Sequence, residues 1–320
     1  MKLVNSTPFD LSTSTLALSS LASRSAAHLR ATFNYGQAGQ TLVLSDEQGP
    51  PPLADCYSGD PVASSLVEPS FLHMGKPGTD VLVTGVAYAP NLIPSYHWNV
   101  SVEAPGLKNQ ITIFGDRMWE EGRIQTLRKR LNTVIQYEYA FGGTHSNEPQ
   151  ANPAGIGLSP DDMLLPSIED STQLIAHRDH KPMPAGLGPI APHWAQRLRY
   201  AGTYDSVWTA TRAPFLPTDQ NPKYNHAAHP NMQTSKPFSG GETILIKGMH
   251  PETPLSLTLP NISFTAQFYI TGQESVRSFF SLETVSIDTQ ATTLTMDWRA
   301  FADHKGGVEN VRRIQAQERR

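Results

Sequence analysis

Histidine is the first side chain to weigh, because the 320-residue sequence holds eleven of them. His177 and His180 stand three apart, as do His226 and His229, with His145, His193 and His250 scattered around them. An i,i+3 pair on a helix can share a metal ion, with a carboxylate such as Glu169, Asp179 or Asp205 completing the set. A metal-dependent enzyme is therefore one reading of the middle of the chain. Against it, His177 to Lys181 runs into Pro182, and His229 is followed by Pro230. Proline cuts a helix short, so turn or loop histidines suit both pairs better.

Other reactive-looking fragments are incomplete. His177-Arg178-Asp179 opens like a kinase catalytic loop, but Pro184 stands where the downstream Asn belongs. No GxSxG elbow, Walker A loop, HExxH or CxxC occurs. Cys56, the single cysteine, reads as a structural thiol. Phe141-Gly142-Gly143-Thr144 has neither the lysine nor the helix of a phosphate cradle and reads as a tight turn. Arg128-Lys129-Arg130 reads as a solvated face. A net charge of -4 gives no electrostatic footprint for nucleic acid. No run reaches the roughly 18 apolar residues of a membrane helix. The Ser- and Thr-interrupted N-terminus reads as mature protein, and a cytoplasmic location is expected.

The elements that must position these side chains are mostly strands. The 26 Pro and 23 Gly favour short strands and turns over long helices. Leu29, Ala31, Phe33 and Tyr35 alternate with polar residues, as do Tyr96, Trp98, Val100 and Val102, with Ile111 and Ile113 following. Val81 to Ala89 is nearly continuous and reads as a central strand. Further strands are predicted over 242–247, 255–259, 264–270, 276–287 and 292–298. Two short helices are predicted, His193 to Arg199 and Thr203 to Arg212, with Pro214 ending the second. Val308 to Arg320 suggests a short basic helix or a fraying tail. The expected fold class is mainly β: antiparallel sheets in sandwich-like lobes with a Gly/Pro-rich loop region. It is one family-type domain, with two β lobes at about 1–125 and 235–300 flanking a loop-rich middle at 126–234, and a tail at 301–320.

That middle segment carries the most specific signal, and at its motifs the chain resembles the bacterial family called domain of unknown function 2169, associated with type VI secretion. The family pattern stands here as Thr7-Pro8-Phe9, Arg30 to Phe33, Gly78 to Val81 with Gly85 to Pro90, and Gly115 to Trp119. It continues as Tyr137 to Thr144, Asn152 to Gly157, Leu165 to Glu169, Pro184 to Pro189, Ala201 to Trp208, Gly240 to Glu242 and Trp298 to Ala300. Ser167 and Leu187 replace the usual Asn and Phe, and Ala228 to Gln233 only loosely echoes the pattern.

The resemblance implies a non-enzymatic cytosolic adaptor or chaperone. It would help load an effector carrying a PAAR-type tip onto the VgrG spike, with no catalytic residue and no cofactor. A purely structural part of the spike complex is a third reading. Aromatics cluster in the middle segment, and aromatic side chains are enriched at interface hot spots. Phe141, Trp194, Tyr204, Asp205 and Trp208 are the expected partner-binding residues. Asp205 has a second reading as a helix cap.

Overall fold

The computed structural model describes residues 1–36, 41–145 and 148–319. In chain order the first strands are β1 (Lys2–Ser6), β2 (Asp10–Ala17), β3 (Ala22–Asn34) and β4 (Val43–Leu44). Then come β5 (Cys56–Tyr57), β6 (Leu66–Glu68), β7 (Asp80–Thr84) and β8 (Val86–Tyr88). A meander follows: β9 (His97–Ala104), β10 (Leu107–Phe114), β11 (Asp116–Glu120), β12 (Arg123–Arg128) and β13 (Asn132–Val134). The middle holds β14 (Phe141–Gly142), β15 (Ile156–Gly157), β16 (Ile168–Asp170) and two short helices, α1 (Ala195–Leu198) and α2 (Ser206–Thr211). The chain closes with β17 (Thr243–Lys247), β18 (Leu255–Thr258), β19 (Phe264–Ile270) and β20 (Val276–Phe279). Last are β21 (Ser281–Asp288), β22 (Thr293–Lys305) and β23 (Val311–Glu318). The protein is mainly β, as its alternating runs predict. Among the described residues no helix is long and apolar enough to cross a membrane.

Three sheets carry the architecture. The largest runs β2-β3-β22-β21-β7 with β4 paired to β3, the second β16-β10-β9-β17-β18, and the third β1-β23-β19-β20. Successive side chains on a strand point to opposite faces. Leu29, Ala31, Phe33, Leu294, Met296, Trp298, Val285, Val81 and Val83 therefore form one apolar face of the largest sheet, and all are buried. They share a core with Val100, Val102, Ile111, Ile113, Ile244, Ile246, Leu255 and Leu257 of the second sheet. Each buried Val, Leu, Ile, Phe or Met among them contributes about 1.5–3 kcal/mol on burial. Phe9 from the N-terminal motif stacks on Trp298 from the C-terminal one, with ring centroids 6.0 Å apart. Phe264 closes edge-on against both rings, at 5.5 and 5.4 Å.

Four features differ from the sequence reading. Val81 to Ala89 is two strands rather than one. The break is at Gly85 (φ +131°), where a Cβ would stand 2.0 Å from the Thr289 hydroxyl. A position so crowded, at a positive φ, admits only glycine. Nor is β7 central: it is an edge, shielded where Val83 N–H donates to the Leu187 carbonyl at 2.9 Å. Segment 301–319 is mostly strand, with a single 3-10 turn at Val308–Asn310, because β22 runs on to Lys305 and β23 fills the third sheet between β1 and β19. Finally, the segments at 1–125 and 235–300 interleave, with strands from both ends of the chain lying side by side in each of the three sheets.

Candidate functional site

The face of the largest sheet opposite the core is polar. Arg30, Thr293, Thr295, Ser286, Asp288 and Thr84 line the floor of a cleft of about 350 Å³. Leu66 to Pro69, Val134 to Tyr137 and Gly186 to Pro189 form its walls. The β5–β6 hairpin is held in place by Glu138, whose carboxylate accepts from the Ser65 N–H at 2.8 Å and the Ser58 hydroxyl at 3.1 Å, and also from the Ser65 hydroxyl. Ser65 Oγ in turn accepts from the Tyr137 N–H at 3.1 Å.

Three of the sequence motifs interlock here. Tyr137 is buried edge-on against Trp194, with centroids 5.1 Å apart. Its ring lies against Gly186, where an added Cβ would come within 2.4 Å of Tyr137 Cζ. Its hydroxyl donates to the Gly188 carbonyl at 3.4 Å, and burial pushes the phenol pKa well above its usual value. Asn152 Nδ2 donates to the carbonyls of Tyr137 at 2.8 Å and Phe141 at 3.1 Å. The Gly and Pro residues thus shape a wall whose backbone groups are tied to Val83, Tyr137 and Asn152.

At one end of the floor Arg30 pairs with Glu68 at 2.6 Å and with Asp297 at 2.9 Å. Burial pushes the Asp297 carboxyl up against the pull of Arg30. Beyond this pair lies a chamber of about 20 Å³, room for a single water, lined by His73, Lys76, Arg197 and Asn225 among others. Beside it Asp80 takes Lys76 Nζ at 2.6 Å and His226 Nδ1 at 2.6 Å. Burial opposes the Asp80 charge, but Lys76 and His226 outweigh it and hold the carboxyl well below its usual range. Arg299 Nε lies 3.0 Å from Glu283, whose carboxyl burial pushes up. The sequence reading missed this buried ionic network. It left no trace in the pattern, since Asp297 and Arg299 occupy the polar phase of the β22 alternation, where a buried ionic face and a solvated one read alike.

At the other rim, Val134 belongs to both this cleft and a second groove of about 370 Å³, lined by Arg130 to Val134 and Tyr139. Among the described residues strand β13 pairs only with β8. Ala89 N–H donates to Leu131 at 2.8 Å and Ile135 N–H to Gly85 at 2.9 Å. Hydrogen-bonded and outward positions alternate along an antiparallel pair, so the peptide groups of Asn132 and Val134 face outward. Leu131, Val134 and Tyr139 are exposed along this open edge at 40, 40 and 38%.

The expected partner-binding residues do not form one surface. Trp194 is fully buried, and Phe141 packs with Trp119, Leu165 and Ile175, so both serve the interior. Asp205 caps α2, accepting from the Trp208 N–H at 2.8 Å. Trp208 is half-buried, its indole donating to the Phe215 carbonyl at 2.9 Å. Only Tyr204, edge-on to Trp208 at 4.8 Å, exposes most of its ring. Cys56 is exposed on β5, not an interior thiol. The histidine pairs also separate: His226 serves Asp80, while His229 Nδ1 accepts from the Asn231 N–H at 3.2 Å. His177 is exposed and passes its carbonyl to the His180 N–H at 3.0 Å. Glu169 is buried against Arg117 and accepts from the Ile175 N–H at 2.7 Å. Asp179 is exposed. Among the described residues no group of three or more His, Cys, Asp or Glu is placed to hold a metal ion.

The model of a family described as an uncharacterized protein conserved in bacteria, DUF2169, matches residues 22–299. The chain belongs to DUF2169. The DUF2169 match covers every residue that shapes the cleft, together with β13 and the buried ionic network, and leaves out β1, β2 and β23. No curated protein and no solved structure matches the chain.

Proposed function

We propose that this DUF2169 protein is a non-enzymatic adaptor, or chaperone, which holds a type VI secretion effector with a PAAR-type tip and assists its loading onto the VgrG spike. The observation that carries this reading is the open edge of β13 running into the cleft. The Asn132 carbonyl on this edge accepts from the Thr133 hydroxyl at 2.8 Å, but a strand edge with outward backbone groups flanked by exposed apolar side chains is a template for an extended segment, with main-chain hydrogen bonds giving affinity and alternate side-chain pockets giving specificity. Of the cleft's walls, Gly186 to Pro189 and Tyr137 belong to the motifs that carry the family resemblance. Among its titratable groups Arg30 pairs with Glu68 and Asp297, the Tyr137 hydroxyl donates to the Gly188 carbonyl, and the Asp288 carboxylate accepts from the Gln290 and Ala291 N–H groups.

The test is co-expression with a PAAR-bearing effector encoded beside this protein, followed by affinity capture and circular dichroism. Wild type retains the effector and passes it to added VgrG. Val134→Asp retains the fold and captures at least tenfold less. Equal capture by Val134→Asp removes the β13 edge from the reading. Stoichiometric zinc or iron in the purified protein, with turnover lost on replacing a histidine, replaces the adaptor by a metal-dependent enzyme.

A further inference from the structure

The third sheet turns one face to the core and the other to solvent, and the solvent face collects cations. The register sets Lys2 beside Arg313, Arg313 beside Tyr269, and Gln267 beside Arg277. Thr265, Gln267, Tyr269, Arg277, Gln315 and Gln317 line a shallow concavity of about 220 Å³ on this face. Arg319 lies over Phe279 at its margin, 5.3 Å from the ring centroid. Among the described residues Lys2, Arg277, Arg313 and Arg319 make no ion pair, and no carboxylate shares their face. The whole chain is acidic, with net charge -4, so this is a local reversal of sign.

We propose that this face docks an acidic protein segment, whose carboxylates pair with Arg277, Arg313 and Lys2 while the glutamine amides hydrogen-bond its backbone. Guanidinium forks match carboxylates bidentately, and three of them are steadied on rings. Arg313 sits 3.7 Å over Tyr269, and Arg277 and Arg319 share Phe279. That use of the rings weighs against single-stranded nucleic acid, which stacks its bases on bare aromatic faces. The like charge of the face argues against a second copy binding face to face. Lys2, Arg313 and Arg319 lie outside the family match of 22–299, and the surface is separate from the cleft, so the inference stands apart from the adaptor reading.

Fluorescence anisotropy of the full chain against a labelled oligo-glutamate peptide tests it, with oligo-thymidylate and oligo-lysine as comparisons. The expected result is preferential oligo-glutamate binding that weakens with salt. It falls at least tenfold in Arg277→Gln/Arg313→Gln and, separately, in Lys2→Gln/Arg319→Gln, while Arg123→Gln on β12 leaves it unchanged. Circular dichroism confirms that each variant is folded. Three results overturn the proposal: oligo-thymidylate binding as tightly as the peptide, oligo-glutamate binding that both double variants retain, or no oligo-glutamate binding at low salt. Concentration-dependent dimerisation abolished by the same variants assigns the face to a second copy instead and likewise overturns it.

Discussion

At the scale of single residues, this protein buries an unusual amount of charge behind its cleft. Breaking a buried pair leaves the surviving partner uncompensated, a loss of about 3–5 kcal/mol. Asp80→Asn is therefore expected to lower the thermal midpoint sharply, since it strands Lys76 with a neutral acceptor; a calorimetric scan checks it. His28 sets a pH dependence. Burial, and then the Arg299 cation, lower its pKa from 6.5 to about 3. Burial likewise lowers the pKa of His73, which stands beside Arg299 and Lys76. The unfolded chain takes up these protons before the folded one does. The stability held above the ordinary imidazole value is therefore lost as pH falls from 6.5 toward about 3. His28→Gln is expected to flatten part of that loss in urea titrations run across the range, and an unchanged slope would assign the dependence elsewhere.

At the scale of elements, the sequence was readable wherever a strand buries one face. Strands stand over Leu29 to Phe33, over Trp98 to Val102 within the predicted run from Tyr96, over Leu255 to Thr258 and over Phe264 to Ile270. The C-terminal strand was not readable, for a local reason. Val308, Val311 and Ile314 are spaced like a helical stripe. A register shift between Tyr269 and Ile270 pairs Val311 with Ile270 and Arg313 with Tyr269, so Val311 and Ile314 both turn inward. A bulge resets the alternation on which sequence reading depends. The site was legible only as a set of motifs. Trp194 and Phe141 looked like anchors because aromatics in a loop-rich stretch mark either a surface or a core under loops, and only packing separates the two. Gly186→Ala is expected to cost about 1–3 kcal/mol by forcing the Tyr137 ring aside, read as a lower denaturation midpoint. Asp205→Ala is expected to cost about 1 kcal/mol through the lost α2 cap, with little effect on effector capture.

At the scale of the whole molecule, N-terminal and C-terminal strands pair directly in the largest and third sheets, as β3 with β22 and β1 with β23. Val311 and Ile314 of β23 lie beside Ile270 and Phe268 in a second core shared with Ala266, Ala27, Ala300 and Ala302. Removing residues 306–320 is expected to expose that core and to give insoluble or molten protein, visible as lost near-ultraviolet circular dichroism; a fully soluble, cooperative truncation would contradict it.

The pairing of β3 with β22, from Asn34 opposite Thr293 to Ala22 opposite Lys305, has a consequence in time. At about 5–20 residues per second of synthesis, β3 emerges roughly ten seconds to a minute before its partner exists. Throughout that wait its Leu29–Phe33 stripe is open to misassociation. Slower growth temperature and available holdase chaperones, more than final thermodynamic stability, will govern how much native protein a cell yields.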